Sequence, residues 1–199
     1  TFTNKAAGEM KERLNKLLGG RVGGLQIGTF HSICARLLRR EGDHTTYGHD
    51  FNIFDTDDQM TVIRQAVREA SIDTKKFSPD RLRYAISSAK NDLITPADYT
   101  PLDYFGEMVG RVYPRYQAAL QDNNAMDFDD LLMQMVLLLR NNAEVRQKYE
   151  RRVVHLLVDE FQDTNTAQYA LVGLLGNPQN NIFVVGDEDQ AIYGFRGAD

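Results

Sequence analysis

Near the start of the chain, the spacing of apolar residues predicts helices that alternate with strands. Across residues 5–17 apolar positions recur every three or four residues, which is typical of one face of an amphipathic helix, and Thr3-Asn4 can cap its start. The apolar run at 25–29 is typical of a short strand, and Ser32 is expected to cap a second helix that ends near residue 40. The opening therefore predicts an α/β arrangement.

The middle of the chain changes character and is nearly all helical by pattern. Thr56-x-x-Gln59 predicts a capping box, and Ser78-Pro79 predicts the start of a further helix. A long helical pattern covers residues 103–122, where Pro114 is expected to kink or divide the helix. Asp127 then caps a strongly apolar helix. We interpret residues 46–130 as a helical insertion.

Two apolar runs near the end of the chain restore the α/β pattern. Residues 153–158 and 182–185 are apolar enough for strands that are buried on both faces of a parallel sheet. A helix is expected between them, from about residue 166 to 175. The chain is therefore interpreted as an α/β domain, formed by residues 1–45 and 131–199, around the helical insertion.

Acidic and amide residues follow both of these predicted strands. Asp159 and Glu160 end the first strand, and Asp187 and Gln190 follow the second. Ligands bind beyond the carboxyl ends of parallel strands, where a first carboxylate can hold Mg²⁺ and a second can activate water. A neutral amide beside them can contact a phosphate. Each group alone is equally compatible with a solvated strand end, but two such ends on one sheet edge favour a nucleotide site.

Aromatic, basic and hydroxyl residues near strand ends suggest a surface for single-stranded nucleic acid. Bases stack on aromatic rings while cations and hydroxyls contact phosphates. Taken singly, each of these residues is compatible with an ordinary core or capping role. The candidates for this surface are Phe2, Thr3, Thr29, His31, Tyr193, Phe195 and Arg196.

Charge and composition restrict these hypotheses. The 199 residues have a net charge of −5, so no overall basic field attracts nucleic acid, but eight basic and two acidic residues make residues 1–40 locally basic. A single cysteine, Cys34, excludes an internal disulfide and a thiolate zinc cluster, and we expect it to be buried. No segment is typical of a signal peptide or membrane helix, so a cytoplasmic protein without membrane partners is expected.

No G-x-x-x-x-G-K-[ST] phosphate-binding loop is present in the sequence. The glycine-rich segment 19–24 follows a helix rather than a strand and has no Lys-Ser/Thr pair behind it. Without such a loop the β- and γ-phosphates of a nucleotide have no cradle, so we expect the chain to be inactive in nucleotide hydrolysis by itself.

Four sequence blocks together resemble the UvrD/Rep/PcrA family of superfamily 1 DNA helicases. The blocks are TFTNKAAGEM at 1–10, GTFHSICARLLRR at 28–40, VDEFQDTN at 158–165 and VGDEDQAIYGFRGAD at 185–199. The resemblance implies motifs Ia, Ib, II (Walker B) and III. It also implies a partial RecA-like P-loop NTPase sheet, domain 1A, at 1–45 and 131–199, with the all-helical subdomain 1B inserted at 46–130.

The resemblance also implies roles for single residues. Asp159 corresponds to the magnesium ligand, Glu160 to the catalytic base, and Gln190 to the γ-phosphate contact. The family positions that contact single-stranded DNA match Phe2, Thr29, His31, Phe128, Tyr193 and Phe195. Arg196 follows the stacking aromatic. Phe195 stands where several relatives have Trp, which keeps a π face but loses the indole donor. Lys90-Asn91 can contact duplex DNA or form a solvated helix end.

For the whole protein, the resemblance implies an ATP- and Mg²⁺-dependent helicase moving 3′ to 5′ on single-stranded DNA, at a single-strand/duplex junction, in repair or replication restart. It places the Walker A segment before Thr1 and domains 2A and 2B after Asp199. Two alternatives stay open: the helicase domain of a RecB/AddA-type helicase-nuclease, and a non-catalytic nucleic-acid-binding module. The Glu188-Asp189-Gln190 sequence fits the UvrD/Rep/PcrA helicases better than the helicase-nucleases, which commonly have Lys-Gln there.

Overall fold

The computed structural model describes residues 1, 3–21, 23–176, 181–187 and 189 as a mixed, mainly helical fold with two small parallel sheets. In these described residues, no helix is both long and apolar enough to cross a membrane. The helices are α1 (Asn4–Leu17), α2 (Phe30–Arg40), α3 (Thr56–Glu69), α4 (Pro79–Asn91), α5 (Tyr104–Asp122), α6 (Phe128–Asn141), α7 (Ala143–Arg152) and α8 (Thr166–Leu175). The strands are β1 (Asn52–Ile53), β2 (Ala125–Met126), β3 (Leu156–Val158) and β4 (Ile182–Val184).

Each helix begins at a polar residue whose side chain accepts a hydrogen bond from the first turn. The predicted helices are confirmed, and α5 runs through Pro114 as one helix. Two predicted caps are wrong by a few residues. Thr29 rather than Ser32 caps α2, and Asp55 with Asp58, instead of Thr56 with Gln59, forms the capping box of α3. The N-caps in chain order are Thr3, Thr29, Asp55, Ser78, Asp103, Asp127, Asn142 and Asn165.

The buried apolar residues form two clusters. One cluster joins α2, α6, α7 and α8 and contains Cys34, which is fully buried as predicted. The other joins α3, α4 and α5, which all belong to the central helical region. Because the two clusters divide the chain near residues 54 and 126, the helical region has a core of its own.

A short pair of parallel strands joins the two ends of the helical region. Strands β1 and β2 pair there. The prediction that segment 46–130 is all helical is therefore wrong. The N–H of Asn52 donates to the carbonyl of Asn124 at 2.9 Å, and the N–H of Phe54 donates to Met126 at 2.9 Å. The chain thus enters and leaves the helical region side by side, which a helical periodicity does not reveal.

Strands β3 and β4 pair in parallel, as their apolar sequences predict. Their expected burial on both faces is wrong, because Leu157 is 71% exposed and Phe183 is 62% exposed. The predicted strand at residues 25–29 is also wrong. No strand of the described residues pairs with this segment, so its backbone has no ladder to join.

Candidate nucleotide and DNA site

The loop that follows β3 presents two acidic side chains at the carboxyl end of the strand. We call residues 159–165 the acidic loop. Asp159 and Glu160 are both half-buried, and Glu160 has a left-handed backbone with φ of 56°. Such a conformation is uncommon for a non-glycine residue and costs free energy, so the surrounding structure must hold it in place. A tight 3₁₀ turn over Phe161–Asp163 follows directly.

Gln162 connects the acidic loop to the end of β4. Its amide Nε2 donates to Glu160 Oε2 at 2.7 Å, while its Oε1 accepts from the Asp187 N–H at 3.1 Å. A Cβ at Gly186 would lie 2.8 Å from Gln162 Oε1, so a larger residue there would displace this amide from its position. The sequence pattern gives Gln162 no role. The one sequence feature that could have indicated its role is an amide side chain two residues after Glu160.

Backbone hydrogen bonds hold the two strand ends together beyond the sheet itself. The N–H of Val185 donates to the Val158 carbonyl at 2.8 Å, and the N–H of Phe161 donates to the Val185 carbonyl at 2.9 Å. Asp159, Glu160 and Asp187 therefore lie at one edge of the β3–β4 pair. Gln190, predicted at the same edge, lies outside the described residues.

The donor set of this edge fits Mg²⁺ but does not form a complete cage. Within the described ranges, no group of three or more His, Cys, Asp or Glu residues could enclose a metal ion. Mg²⁺ is usually bound by one or two carboxylates, with waters and substrate phosphates completing the octahedron. Asp159, placed directly after β3, is therefore a suitable single protein ligand.

The first residues of the chain reach the same edge. The backbone of Thr1 is close enough to Asp159 and Glu160 to interact with both carboxylates. Thr1 therefore lies beside the acidic loop, at the entry to α1. Thr3, the nearby DNA candidate, is exposed and its hydroxyl accepts from the Ala6 N–H at 3.1 Å as the α1 cap.

Three of the predicted DNA-contacting residues lie together at the N-termini of α2 and α6. The rings of His31 and Phe128 meet edge to face with centroids 6.1 Å apart. Phe128, the first residue of α6, is 47% exposed. Thr29, two residues before His31, is mostly buried, and its hydroxyl accepts from the Ser32 N–H at 3.2 Å. Burial lowers the pKa of His31, so the ring is neutral at pH 7.

Four further predicted DNA contacts lie outside the described residues. They are Phe2, Tyr193, Phe195 and Arg196.

Lys90 is a structural ion-pair partner, so both interpretations of Lys90 as a DNA contact and as a solvated helix end are wrong. Its side chain is fully buried, and Nζ lies 2.7 Å from Asp127 Oδ2 and 2.9 Å from Asp130 Oδ1. Burial by itself would lower the pKa of Lys90, but attraction to the two carboxylates raises it above its usual value. Because a buried charge needs a partner, this cation faces inward. Helical spacing alone could not reveal partners about 40 residues away in the sequence.

The pKa values of the three carboxylates around Lys90 are shifted in different directions. Burial would raise the pKa of Asp127, but attraction and hydrogen bonds from Lys90 hold it below the usual value. Burial and then repulsion from Asp127 raise the pKa of Asp130 to about 6, and the same two causes raise that of Asp129 to about 6. The Tyr116 hydroxyl also donates to Asp127 Oδ2 at 2.8 Å. The start of α6 is therefore fixed by a buried polar network.

Comparison with known proteins identifies the family. The sequence profile of the UvrD/REP helicase N-terminal domain matches residues 1–199. The chain belongs to this family. Its membership confirms the resemblance recognised from the four sequence blocks, and the mixed fold with small parallel sheets is consistent with such a domain.

Individual relatives of this UvrD/REP domain are ATP-dependent DNA helicases. The chain is 48% identical over 201 residues to the ATP-dependent DNA helicase PcrA of Staphylococcus aureus strain Mu50, a match covering 100% of the chain and 28% of that protein. It is 46% identical over 201 residues to the PcrA helicase of Bacillus subtilis strain 168, covering 100% of the chain and 27% of the relative. The chain thus spans little more than a quarter of the length of these relatives.

Proposed function

We propose that this chain forms part of the motor of an ATP-dependent DNA helicase and supplies its hydrolytic carboxylates. The carrying observation is that Asp159, Glu160 and the end of β4 share one sheet edge, bridged by Gln162. This edge is where parallel α/β sheets bind ligands. The proposal includes a RecA-like domain 1A at 1–45 and 131–199 and a subdomain 1B at 46–130, in agreement with the two separate apolar clusters.

The acidic loop suits hydrolysis of a phosphoanhydride. Asp159 would hold Mg²⁺, which when bound would neutralise charge on the nucleotide phosphates. Glu160 is the base: its carboxylate would accept a proton from the attacking water. Gln162 donates to one carboxylate oxygen of Glu160 and leaves the other available for this water.

The α2 and α6 N-termini suit contacts to single-stranded DNA. The half-exposed ring of Phe128 offers a stacking face, and His31 supports it from the side. The first turn of α2 contains no acidic residue, so its N–H groups favour a phosphate. Thr3 and the candidates outside the described residues would extend this surface.

The rest of the motor belongs to the protein that contains this chain. The chain spans little more than a quarter of its PcrA relatives, which leaves room for the Walker A segment and the domains 2A and 2B that the family resemblance places before Thr1 and after Asp199. Gln190 would contact the γ-phosphate, and the polarity of movement would be 3′ to 5′, starting at a single-strand/duplex junction. On this proposal the 199-residue chain alone neither hydrolyses ATP nor unwinds DNA.

Glu160→Gln in the full-length protein tests the proposal. We expect DNA-stimulated ATP hydrolysis to fall by about 10²-fold or more, because the amide cannot accept the proton of the attacking water. ATP binding should be unchanged, as measured with a fluorescent ATP analogue. Glu144→Gln, an exposed position in the first turn of α7, is the matched control and should hydrolyse ATP normally. Normal turnover by Glu160→Gln would exclude Glu160 as the base.

A further inference from the structure

The C-terminal end of α4 forms a junction of three elements. Its last residues and its C-cap are consecutive, and each of their side chains bonds to another part of the fold. Lys90 pairs with the start of α6, and Asp92 Oδ1 accepts from the Thr166 hydroxyl of α8 at 3.2 Å. Between them, Asn91 contacts both α6 and the acidic loop. The helical region therefore meets both parts of the candidate site at Asn91.

All the hydrogen-bonding capacity of the Asn91 amide nitrogen is engaged. Its Nδ2 donates to the Ser87 carbonyl at 3.0 Å and to Asp129 Oδ1 at 3.2 Å. Its Oδ1 accepts from Asn165 Nδ2 at 2.7 Å. Since the two ends of an amide have opposite hydrogen-bonding character, these partners fix one orientation of the side chain.

The two partners of Asn91 outside its own helix belong to the two halves of the site. Asn165 is the last residue of the acidic loop and caps α8, where its Oδ1 accepts from the Gln168 N–H at 2.9 Å. Asp129 directly follows Phe128, the half-exposed ring at the start of α6. Thus one side chain connects the loop of Glu160 to the helix turn that presents Phe128.

We propose that Asn91 is a positioning residue that couples the acidic loop to the Phe128 turn, so that DNA binding at Phe128 stimulates hydrolysis at Glu160. This inference rests on the proposed function. It concerns the link between two sites, not contact with ATP or DNA, because the Asn91 amide is occupied within the protein. A shift of the Phe128 turn changes the hydrogen bonds of Asp129, and Asn91 passes that change to Asn165 and the loop.

Asn91→Ala in the full-length protein is the first test. We expect the ratio of DNA-stimulated to basal ATP hydrolysis to fall at least about threefold, in line with the energies found for residues between coupled sites. The DNA concentration for half-maximal stimulation and the KM for ATP should stay within about twofold of wild type, because a positioning residue contacts neither ligand. Ser88→Ala, at an exposed position on the same helix, is the matched control and should leave the ratio unchanged.

Exchanging the hydrogen-bond donor and acceptor between positions 91 and 129 distinguishes a coupling role from simple loss of structure. Asn91→Asp alone sets a carboxylate against Asp129 and should lower the ratio. Adding Asp129→Asn reverses donor and acceptor between these two positions and keeps an acceptor for Asn165. Only the bond to the Ser87 carbonyl, within α4 itself, stays lost, so the double variant should restore at least half of the wild-type ratio. Asn165→Asp keeps the α8 cap but loses its donor to position 91, and should lower the ratio as Asn91→Ala does.

The outcomes are distinct. A wild-type ratio in Asn91→Ala, or a folded swap variant that is not rescued, would overturn the coupling role. Equal losses of basal and stimulated rates would assign Asn91 to general stability instead and would also overturn it. Absence of DNA-stimulated hydrolysis in the wild-type protein would refute the proposed function itself.

Discussion

At the scale of single residues, the buried network around Lys90 determines how the helical region joins the remainder of the fold. Lys90 belongs to α4, whereas Asp127 and Asp130 form the capping box of α6. The carboxylates that cap the helix therefore also neutralise the cation. Gln117 Nε2 adds a hydrogen bond to each oxygen of Asp130 at 3.2 Å. Because every charge in this network has a partner, removing one leaves the others without compensation.

Lys90→Met should lower the free energy of unfolding of the chain by about 3–5 kcal/mol, since it leaves two carboxylates buried without their cation. The loss should be larger at pH 8 than at pH 5. Without Lys90, the folded-state pKa values of both carboxylates rise above their unfolded values. The folded state of the variant then binds more protons than its unfolded state, so its stability falls as pH increases. Urea unfolding at the two pH values measures both effects.

Lys76→Met, at an exposed position before α4, is the control for Lys90. We expect its unfolding free energy to stay within about 0.5 kcal/mol of wild type at both pH values. A small, pH-independent loss for Lys90→Met would show that the carboxylates find other partners, and would contradict the network as described.

Residue roles could be predicted from the sequence only where the relevant partners are local. The burial of Cys34 and the capping by Asp127 depend on nearby sequence and are confirmed. The burial of Lys90 depends on carboxylates brought close by folding, and no local pattern contains that information. Thr29 shows an intermediate case. Its hydroxyl is both a cap and a proposed DNA contact, and the sequence supports either role.

At the scale of elements, the predicted helices were all found, whereas the strands were predicted only in part: β3 and β4 were expected, but β1 and β2 were not. A helix satisfies its hydrogen bonds within its own segment, so periodicity and caps suffice to locate it. A strand needs a neighbour, and residues 25–29 have none among the described residues. The two-residue strands β1 and β2 form for the opposite reason: distant segments meet where the chain enters and leaves the helical region.

Pro114 lies within α5 and provides an element-scale test. A proline inside a helix lacks the N–H that would bond to the carbonyl four residues earlier, here that of Gly110. Because Pro114 is exposed, Pro114→Ala should restore this bond without changing the core, and should raise the free energy of unfolding by about 1–3 kcal/mol. Urea unfolding of the chain measures the change.

Arg115→Ala, at the exposed neighbouring position, is the control for Pro114 and should change the stability little. A loss of stability in Pro114→Ala would mean that the flanking buried rings, Tyr113 and Tyr116, require the helix geometry that proline imposes. That result would reverse the expected sign and contradict the prediction.

At the scale of the whole molecule, the candidate site lies where the two apolar clusters meet. The acidic loop and the α6 N-terminus lie on the side of the first cluster, and α4 reaches both from the second. The sequence predicted the shared edge of β3 and β4, since parallel strands align their carboxyl ends. It did not predict the bridges by Gln162 and Asn91, because amide side chains at loop and helix ends have many possible partners.

The contact between His31 and Phe128 leads to a prediction about DNA binding by the full-length protein. Phe128→Ala should weaken binding of oligo(dT) by about 5- to 150-fold, the range expected when one stacked base loses its aromatic partner. His31→Ala should have a smaller effect, because His31 supports the Phe128 ring edge to face. Fluorescence anisotropy at fixed salt measures both affinities.

The double variant distinguishes support from independent contact. If His31 acts through Phe128, removing both rings costs little more than removing Phe128 alone, and the two effects are not additive. Tyr84→Ala, which removes a ring that is 65% exposed on α4, is the matched control and should bind like wild type. Additive losses would mean that His31 contacts DNA on its own. Unchanged binding by Phe128→Ala would remove the α6 N-terminus from the proposed DNA surface, because an exposed ring that stacks on a base cannot be deleted without loss of affinity.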